Sequence, residues 1–479
     1  MRANNGQHDK SKGAMNSHRR ILSFILAGAA AVASGANLFA DDTNAAPAGS
    51  IDQRLEQLEQ EIRVLKRQRE LDQEAGDAVA EQAKKTPILQ ADNSGFALKS
   101  AKGDFQLRLR AVVQADARFF LDDDAKNGTD TFLIRKARPI LEGTVFRDFD
   151  FRLMPDFGSD TTALFDAYLE WKYWSWLKVR AGKFKPPVGL EQLQEDQNTL
   201  FAERALPTGL VPNRDIGVQL RGDLWEGVVQ YQVGVFNGVV DGVNGGIDNN
   251  DSKDFEGRIF LEPFKKTELE PLQGLGFGIA GTIGHQDGSL ATPNVPTFKT
   301  PGQNTFFRYS TGAALTNTPV ADGRRDRIAP QGYYYWGPFG LLGEYYISEQ
   351  EVVKGPSRDY LRNSAWQVAG SLVLTGERAS FRGVTPKNPF DPKKGTWGAL
   401  ELAGRYSDLR IDPDVFPTFA SLSSSAQEAR AWAVGLNWYL NKNVKFVADF
   451  EETHFDGGAA GGKNREPERV VFTRAQVAF

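Results

Sequence analysis

Residues 105–120 read FQLRLRAVVQADARFF, and their alternate positions carry opposite characters. Phe105, Leu107, Leu109, Ala111, Val113, Ala115, Ala117 and Phe119 fall on one side of an extended chain. Gln106, Arg108, Arg110, Gln114, Asp116 and Arg118 fall on the other. Successive side chains of a strand point to opposite faces, so this is a strand with one apolar face and one charged face.

The same period recurs to the last residue. Residues 131–145 set Leu133, Leu141 and Val145 opposite Lys136, Arg138, Glu142 and Thr144. Phe165, Ala167, Leu169, Trp171 and Tyr173 oppose Asp166, Tyr168, Glu170 and Lys172, and Val471, Ala475, Val477 and Phe479 oppose Arg474 and Gln476. A soluble sandwich also has two unlike faces, but the connections speak for a membrane barrel. Short ones (Arg147-Asp148, Ser175-Trp176, Gly337-Pro338, 440–443) alternate with long ones (188–213, 239–253, 288–326). Tight turns at one end and longer loops at the other are the habit of outer-membrane barrels. The segment 378–398 breaks the pattern, being long where a short turn is expected.

Aromatic residues gather at strand ends, as interfacial girdles would: Trp171, Tyr173, Trp174 and Trp176; Tyr333, Tyr334, Tyr335 and Trp336; Trp432, Trp438 and Tyr439. With residues 305–310 left inside a long loop, the count is sixteen strands. The expected fold is all-β, a roughly sixteen-stranded antiparallel transmembrane β-barrel preceded by a short N-terminal coiled-coil helix. No strand edge can stay unpaired in hydrocarbon, and a barrel of this size is too wide for side chains to fill, so its lumen holds water.

Residues 1–40 read as a secretory signal, with His18-Arg19-Arg20 before an apolar stretch from Ile21 to Ala33 and a small-residue end at Leu38-Phe39-Ala40; Met15 is an alternative start. Removing them lowers the basic and acidic totals from 57 and 61 to 52 and 60, a mature charge of −8, which excludes nucleic acid as an expected partner. The chain has no cysteine, and of its four histidines only His285 and His454 lie outside the leader. Thiol chemistry is excluded, no metal or cofactor site is expected, and an enzymatic reading would need one of those two histidines.

Residues 41–72 are expected to be a loose segment followed by a periplasmic coiled coil. Ile51, Leu55, Leu58, Ile62 and Leu65 recur at spacings of 4, 3, 4 and 3, which is a heptad seam. Arg69 and Asp72 then occupy the next seam positions, so the seam lasts about two heptads, and residues 73–103 read as a polar linker to a barrel over 104–479.

Several stretches resemble one family. FLIRKARPILEGTVFRDFDFRLMPDFG (132–158), LFDAYLEWKYWSWLKVRAGKFKPPVGLE (164–191), NRDIGVQLRG (213–222) and YQVGVFNG (231–238) are similar to the phosphate-selective porin O/P family. GPFGLLGEYY (337–346), LTGERASFRGVTPKNPF (374–390), GALELAGRYSDL (398–409) and VGLNWYLNKNVKFVADFEETHF (434–455) follow in the same order. The resemblance covers about residues 104–479 and includes the odd 378–398 connection. It implies a sixteen-stranded homotrimer in the outer membrane, an anion-attracting basic ladder, and an N-terminal coiled coil in the periplasm.

Parity supplies the ladder independently. Arg108, Arg110, Arg118, Lys136, Arg138, Arg152, Lys172, Lys178 and Arg180 face inward on the first five strands, and Arg221, Arg258, Arg405 and Arg474 follow later. Guanidinium forks suit phosphate and carboxylate oxygens. Asp116, Glu142, Asp150, Asp156, Asp166 and Glu170 share that face. The long loop after the fifth strand, the natural constriction, holds Glu191, Glu195, Asp196 and Glu203 against Arg204, a balance of −3. That surplus argues for passive diffusion of small anionic or polar solutes with a modest preference for anions such as phosphate. The alternatives are a dedicated phosphate or polyphosphate channel, and a barrel that mainly tethers the envelope through cell-wall contact of its coiled coil. The acidic runs 122–124 and 248–251 read as solvated loop residues.

Overall fold

The computed structural model describes residues 51–83, 85–121, 128–246, 248 and 250–479. The signal segment, residues 41–50 and the acidic run 122–124 lie outside them.

Helix α1 spans Ile51–Ala83, 33 residues, or about 50 Å at the usual rise. The division between the two compact units of the chain falls within it, after Asp77. Ile51, Leu55, Leu58, Ile62 and Leu65 are all more than half exposed. The expected linker is corrected in two places. Residues 73–83 remain helical, because Gln, Glu and Ala propagate a helix without a buried face. Ile88–Asp92 and Gly95–Lys99 form a hairpin whose second arm pairs with the first barrel strand from Gln106 to Leu109. Asp-Asn-Ser-Gly supplies its turn. Gly95 sits at φ +101°, and a Cβ there would meet the Leu109 carbonyl oxygen at 2.4 Å.

Sixteen strands close the barrel: β1 Gln106–Leu121, β2 Thr131–Val145, β3 Phe149–Asp156, β4 Ala163–Trp171, β5 Lys178–Phe184, β6 Asp215–Leu224, β7 Val229–Phe236 and β8 Asp254–Leu261, then β9 Leu275–Asp287, β10 Val320–Trp336, β11 Phe339–Lys354, β12 Ser357–Val373, β13 Ala399–Arg410, β14 Ala426–Tyr439, β15 Val444–Ala459 and β16 Glu468–Ala478. Each pairs antiparallel with its sequence neighbours, and β16 closes on β1 from Arg469↔Leu121 to Ala478↔Val112. Strands β3–β8 have 7–10 residues, whereas β10–β12 have 16–17, so one side of the wall is much taller. Among the described residues no helix is long and apolar enough to cross a membrane, which says nothing of a β-barrel.

Three expectations about the rims need correction. Gly355-Pro356 is a tight turn at the long-loop end, and residues 262–274 form a longer connection at the short-turn end. The long loop before β10 ends at Pro319, seven residues earlier than expected, because the charged run Asp322–Arg327 is still strand. The aromatic clusters are also split by the two-residue period. Trp336 and Trp438 are outward, but Tyr333 and Tyr335 line the lumen and Tyr439 is buried against Glu401. Residues Thr305–Arg308 pair only with Thr297–Lys299, a small hairpin outside the barrel sheet.

Candidate functional site

Residues 185–214, between β5 and β6, leave the rim and cross the lumen. A barrel this wide has no side-chain core, so the loop brings its own. Val188, Leu206, Leu210 and Val211 pack with Phe298, Phe306 and Phe307 of the outer hairpin and with Tyr346, Leu361, Ala365 and Leu409 of the far wall. Each fully buried aromatic or aliphatic side chain contributes about 1.5–3 kcal/mol.

Polar side chains of the wall then hold the loop backbone, which would otherwise lack partners. Leu190 N donates to Glu344 Oε2 (2.7 Å) and Ala202 N to Asp449 Oδ2 (2.6 Å). Arg405 donates to the Glu203 carbonyl (2.9 Å), Asn437 to Leu200 O (2.8 Å), Lys445 to Thr199 O (2.9 Å) and Gln476 to Gln197 O (3.1 Å). A second loop, 374–398, rises from the short-turn end and meets the first: Gln194 donates to Phe381 O (2.8 Å), and the Phe381 ring stacks on Tyr333 at 5.3 Å.

The loop's acids are not presented to the lumen as a surplus of −3. Asp196 pairs with Lys136 (3.0 Å), Arg204 (2.6 Å) and Arg138. Glu203 pairs with Arg118 (2.8 Å) and Arg135 (2.5 Å), and Glu191 accepts from Ala205 N (3.0 Å) and lies 3.5 Å from Arg405. Glu195 alone stays half exposed, 3.7 Å from Arg152. Burial opposes the charge on Asp196 and Glu203, but their neighbouring cations prevail and hold both carboxyls below their ordinary range. Both therefore stay ionised, and their contribution to stability is lost only as pH falls through those lowered values.

Along the wall, cations outnumber the acids they share. Arg108 (3.7 Å) and Arg110 (3.4 Å) share Glu142, and Arg180 (2.8 Å) and Arg221 (3.6 Å) share Glu170. With Arg118 and Arg135 on Glu203, three groups of two cations and one acid each leave one positive charge. Other sites balance: Lys172 with Asp150, Lys178 with Asp223, Arg138 with Asp156 and Arg474 with Asp116. Arg152 and Arg214 share Asp166 (3.4 and 3.3 Å). Arg258 has no ion-pair partner among the described residues and lies over the Phe260 ring at 4.4 Å.

These groups line two cavities. A cavity of 740 Å³ on the short-turn side of the constriction loop has eight cationic lining residues, among them Arg180, Arg221, Arg258 and Arg382, against Asp166, Glu195 and Glu262. A cavity of 470 Å³ on the long-loop side includes Lys136, Arg138 and Arg204, and Arg214 lines both. Arg214, itself almost fully buried, thus stands between the two sets of cations.

Sequence parity misses four members of this site. Arg135 is displaced inward by a bulge between Gln114 and Ala115, which alternation alone does not reveal. Arg214, Arg382 and Lys185 lie on loops, where no period applies. Lys185 donates to Gln194 O (2.7 Å) and lines the larger cavity; burial, with Arg214 and Arg204 adding repulsion, brings its pKa down to about 7. It is charged below that value and neutral above it. Anion preference is therefore expected to grow as pH falls from about 8.5 to about 6, and Lys185→Met to flatten that dependence in reversal-potential measurements. Because the folded value lies under the ordinary 10.5, this lysine favours the folded state increasingly as pH rises between the two.

His285 and His454 are both exposed on β9 and β15, His454 3.3 Å from Glu452, and neither is part of the lumen.

The family model for phosphate-selective porins O and P matches residues 105–479. Porin O of Pseudomonas aeruginosa is 22% identical over 405 residues, covering 80% of this chain and 91% of that protein. Among solved structures, the outer-membrane channel DcaP of Acinetobacter baumannii aligns with a TM-score of 0.52 at 14% identity, over 81% of this chain and all of that one. An anion-selective porin from Comamonas acidovorans aligns at 0.48 and 11% identity, over 78% of this chain and all of that one. Family and fold indicate a channel rather than an enzyme, one with an anion preference, and the two cavities beside the constriction have more cationic than acidic lining residues. The chain belongs to the phosphate-selective porin O and P family of outer-membrane channels.

Proposed function

We propose that the protein is a passive diffusion channel for small anionic and polar solutes, phosphate among them, whose modest selectivity comes from the shared-acid groups of its wall. The observation that carries this reading is the pairing of two cations to one carboxylate at Glu142, Glu170 and Glu203. Each leaves one positive charge and spare N–H donors, and a channel field of one sign concentrates counter-ions. Most other wall cations are matched by acids, which favours a general anion preference over a dedicated phosphate filter. In planar bilayers under a potassium chloride gradient, the reversal potential is expected to have the sign for chloride permeation. A cation-selective sign would overturn the reading.

A homotrimer is supported by the asymmetry of the wall. On the low side, β3–β8, nearly all outward residues are apolar up to the long-loop rim, and where β15 and β16 meet β1 and β2 an open apolar groove lies between Ala115, Ala117, Phe132, Ile134, Phe446 and Ala475. The exposed seam of α1 supports a three-stranded periplasmic coiled coil, for which two heptads suffice only where the chains are already held together. Deleting residues 51–83 is expected to leave single-channel current unchanged and to lower the temperature at which the oligomer dissociates on gels. Loss of current instead would make the helix part of the pore. In this orientation the long loops face outward. The chain has no cysteine, so Ser289→Cys gives a single thiol that a membrane-impermeant maleimide should label on intact cells.

A further inference from the structure

The tall side of the wall carries a band of charge on its lipid face. Beyond an outward aromatic row that includes Trp366 and Tyr406 (rings 5.4 Å apart) and Trp432 and Phe450 (5.3 Å), strands β10–β16 continue toward the long-loop rim. There Arg324 pairs with Asp326 (2.5 Å), Arg358 with Glu351 (3.0 Å), Arg362 with Glu349 (3.5 Å), Arg410 with Glu428 (2.9 Å), Arg430 with Asp456 (3.4 Å) and Arg469 with Glu452 (3.0 Å). Neighbours across the strands join these pairs into one surface: Asp326↔Glu349↔Arg362 on β10–β12, and Arg410↔Glu428↔Asp456 on β13–β15.

The arginines stand outside their acids. Their side chains are 41–62% exposed, against 13–29% for Asp326, Glu349, Glu351, Glu428 and Glu452. Asp322 and Asp456 are the half-exposed acids at the edge of the band. A carboxylate thus holds each guanidinium from the sheet side, while about half of the arginine side chain stays exposed. Exposed pairs of this kind add little stability, so a gain in folding does not account for a continuous band of them. Their height does: aromatic rings settle at the membrane interface, which puts the arginines level with the headgroups beyond it.

We propose that this band is a docking surface for the phosphorylated glycolipid headgroups of the outer leaflet. Forked N–H donors match phosphate oxygens, and the recessed acids fix the forks so that little freedom is lost when the lipid arrives. The inference rests on the proposed orientation, with the long loops outward.

The test uses the full chain purified in detergent and native mass spectrometry to count bound lipid. Probes are bisphosphorylated lipid A, the same lipid enzymatically dephosphorylated, and phosphatidylglycerol. The wild type is expected to retain the bisphosphorylated form about tenfold better than either of the others, the gain from a charge-assisted hydrogen bond or two. Arg410→Gln with Arg430→Gln should remove that margin while single-channel current stays unchanged. Equal retention of dephosphorylated lipid or phosphatidylglycerol, or an unaltered margin in the variant, overturns the proposal. Should the double variant fail to fold, the wild-type comparison of the two lipid A forms decides by itself. Binding in detergent does not depend on orientation, so failure of the Ser289→Cys labelling would strike the orientation and leave the lipid preference to be judged separately.

Discussion

Asp196→Asn is expected to destabilise the constriction more than any other single neutral substitution in the lumen. Its carboxylate is buried among Lys136, Arg138 and Arg204, with no other acid shared by all three. Breaking a buried ion pair from one side leaves the opposite charges uncompensated, at about 3–5 kcal/mol. Here the remaining cations also repel one another, and Arg204 is drawn off its second anchors, the carbonyls of Glu191 (3.1 Å) and Gln194 (3.0 Å). The urea midpoint should fall, and the channels that still form should show larger and noisier current as the loop leaves its seat. Glu195→Gln is the control: half exposed and 3.7 Å from Arg152, it should cost under about 1 kcal/mol. Equal midpoints for the two variants would show that the loop is held by its apolar contacts rather than by Asp196.

The second large effect concerns selectivity. Arg180→Gln with Arg221→Gln removes two positive charges around Glu170 and leaves that acid alone on the wall of the larger cavity. At about 6 Å in water, one unit charge shifts the energy of a passing ion by about 0.7 kcal/mol. Two such changes lower anion permeability about tenfold and raise cation permeability by as much, so their ratio falls about a hundredfold. Neither arginine contacts the constriction loop through a hydrogen bond, so conductance in concentrated salt should change far less than reversal potential. An unchanged reversal potential would move the seat of selectivity to the loop and to Arg214.

These two results separate what the sequence made legible from what it did not. The barrel could be read from residues 105–120 because a strand wall imposes the same two-residue period on every member. That period placed Arg108, Arg110, Arg118, Lys136 and Arg138 on the lumenal face without knowledge of any partner. It fails wherever the period slips or ends. The bulge beside Gln114 brings Arg135 to Glu203, and the alternation that turns Trp336 toward lipid turns Tyr335 inward. Residues 88–99 looked like linker because a hairpin at the water-exposed edge of a barrel needs no apolar face. The loop acids were visible as residues, but their sum was misleading: a charge total says nothing of partners, and Glu203 meets Arg118 from 85 positions away. Pairing across a lumen is a property of the closed barrel, and no local window of sequence contains it.

The anchoring of the constriction loop also orders the birth of the channel. The loop is made after β5, yet Glu344, Arg405, Asn437, Asp449, Lys445 and Gln476, which hold its backbone, belong to β11 and β13–β16. Until the last hairpin arrives, residues 185–214 lack these backbone anchors and keep their ion pairs to β1 and β2. A chain stalled short of β16 has neither a sealed wall nor a filter, and the two defects are repaired in the same event. The strand that finishes the wall thus also completes the anchoring of the loop that narrows it.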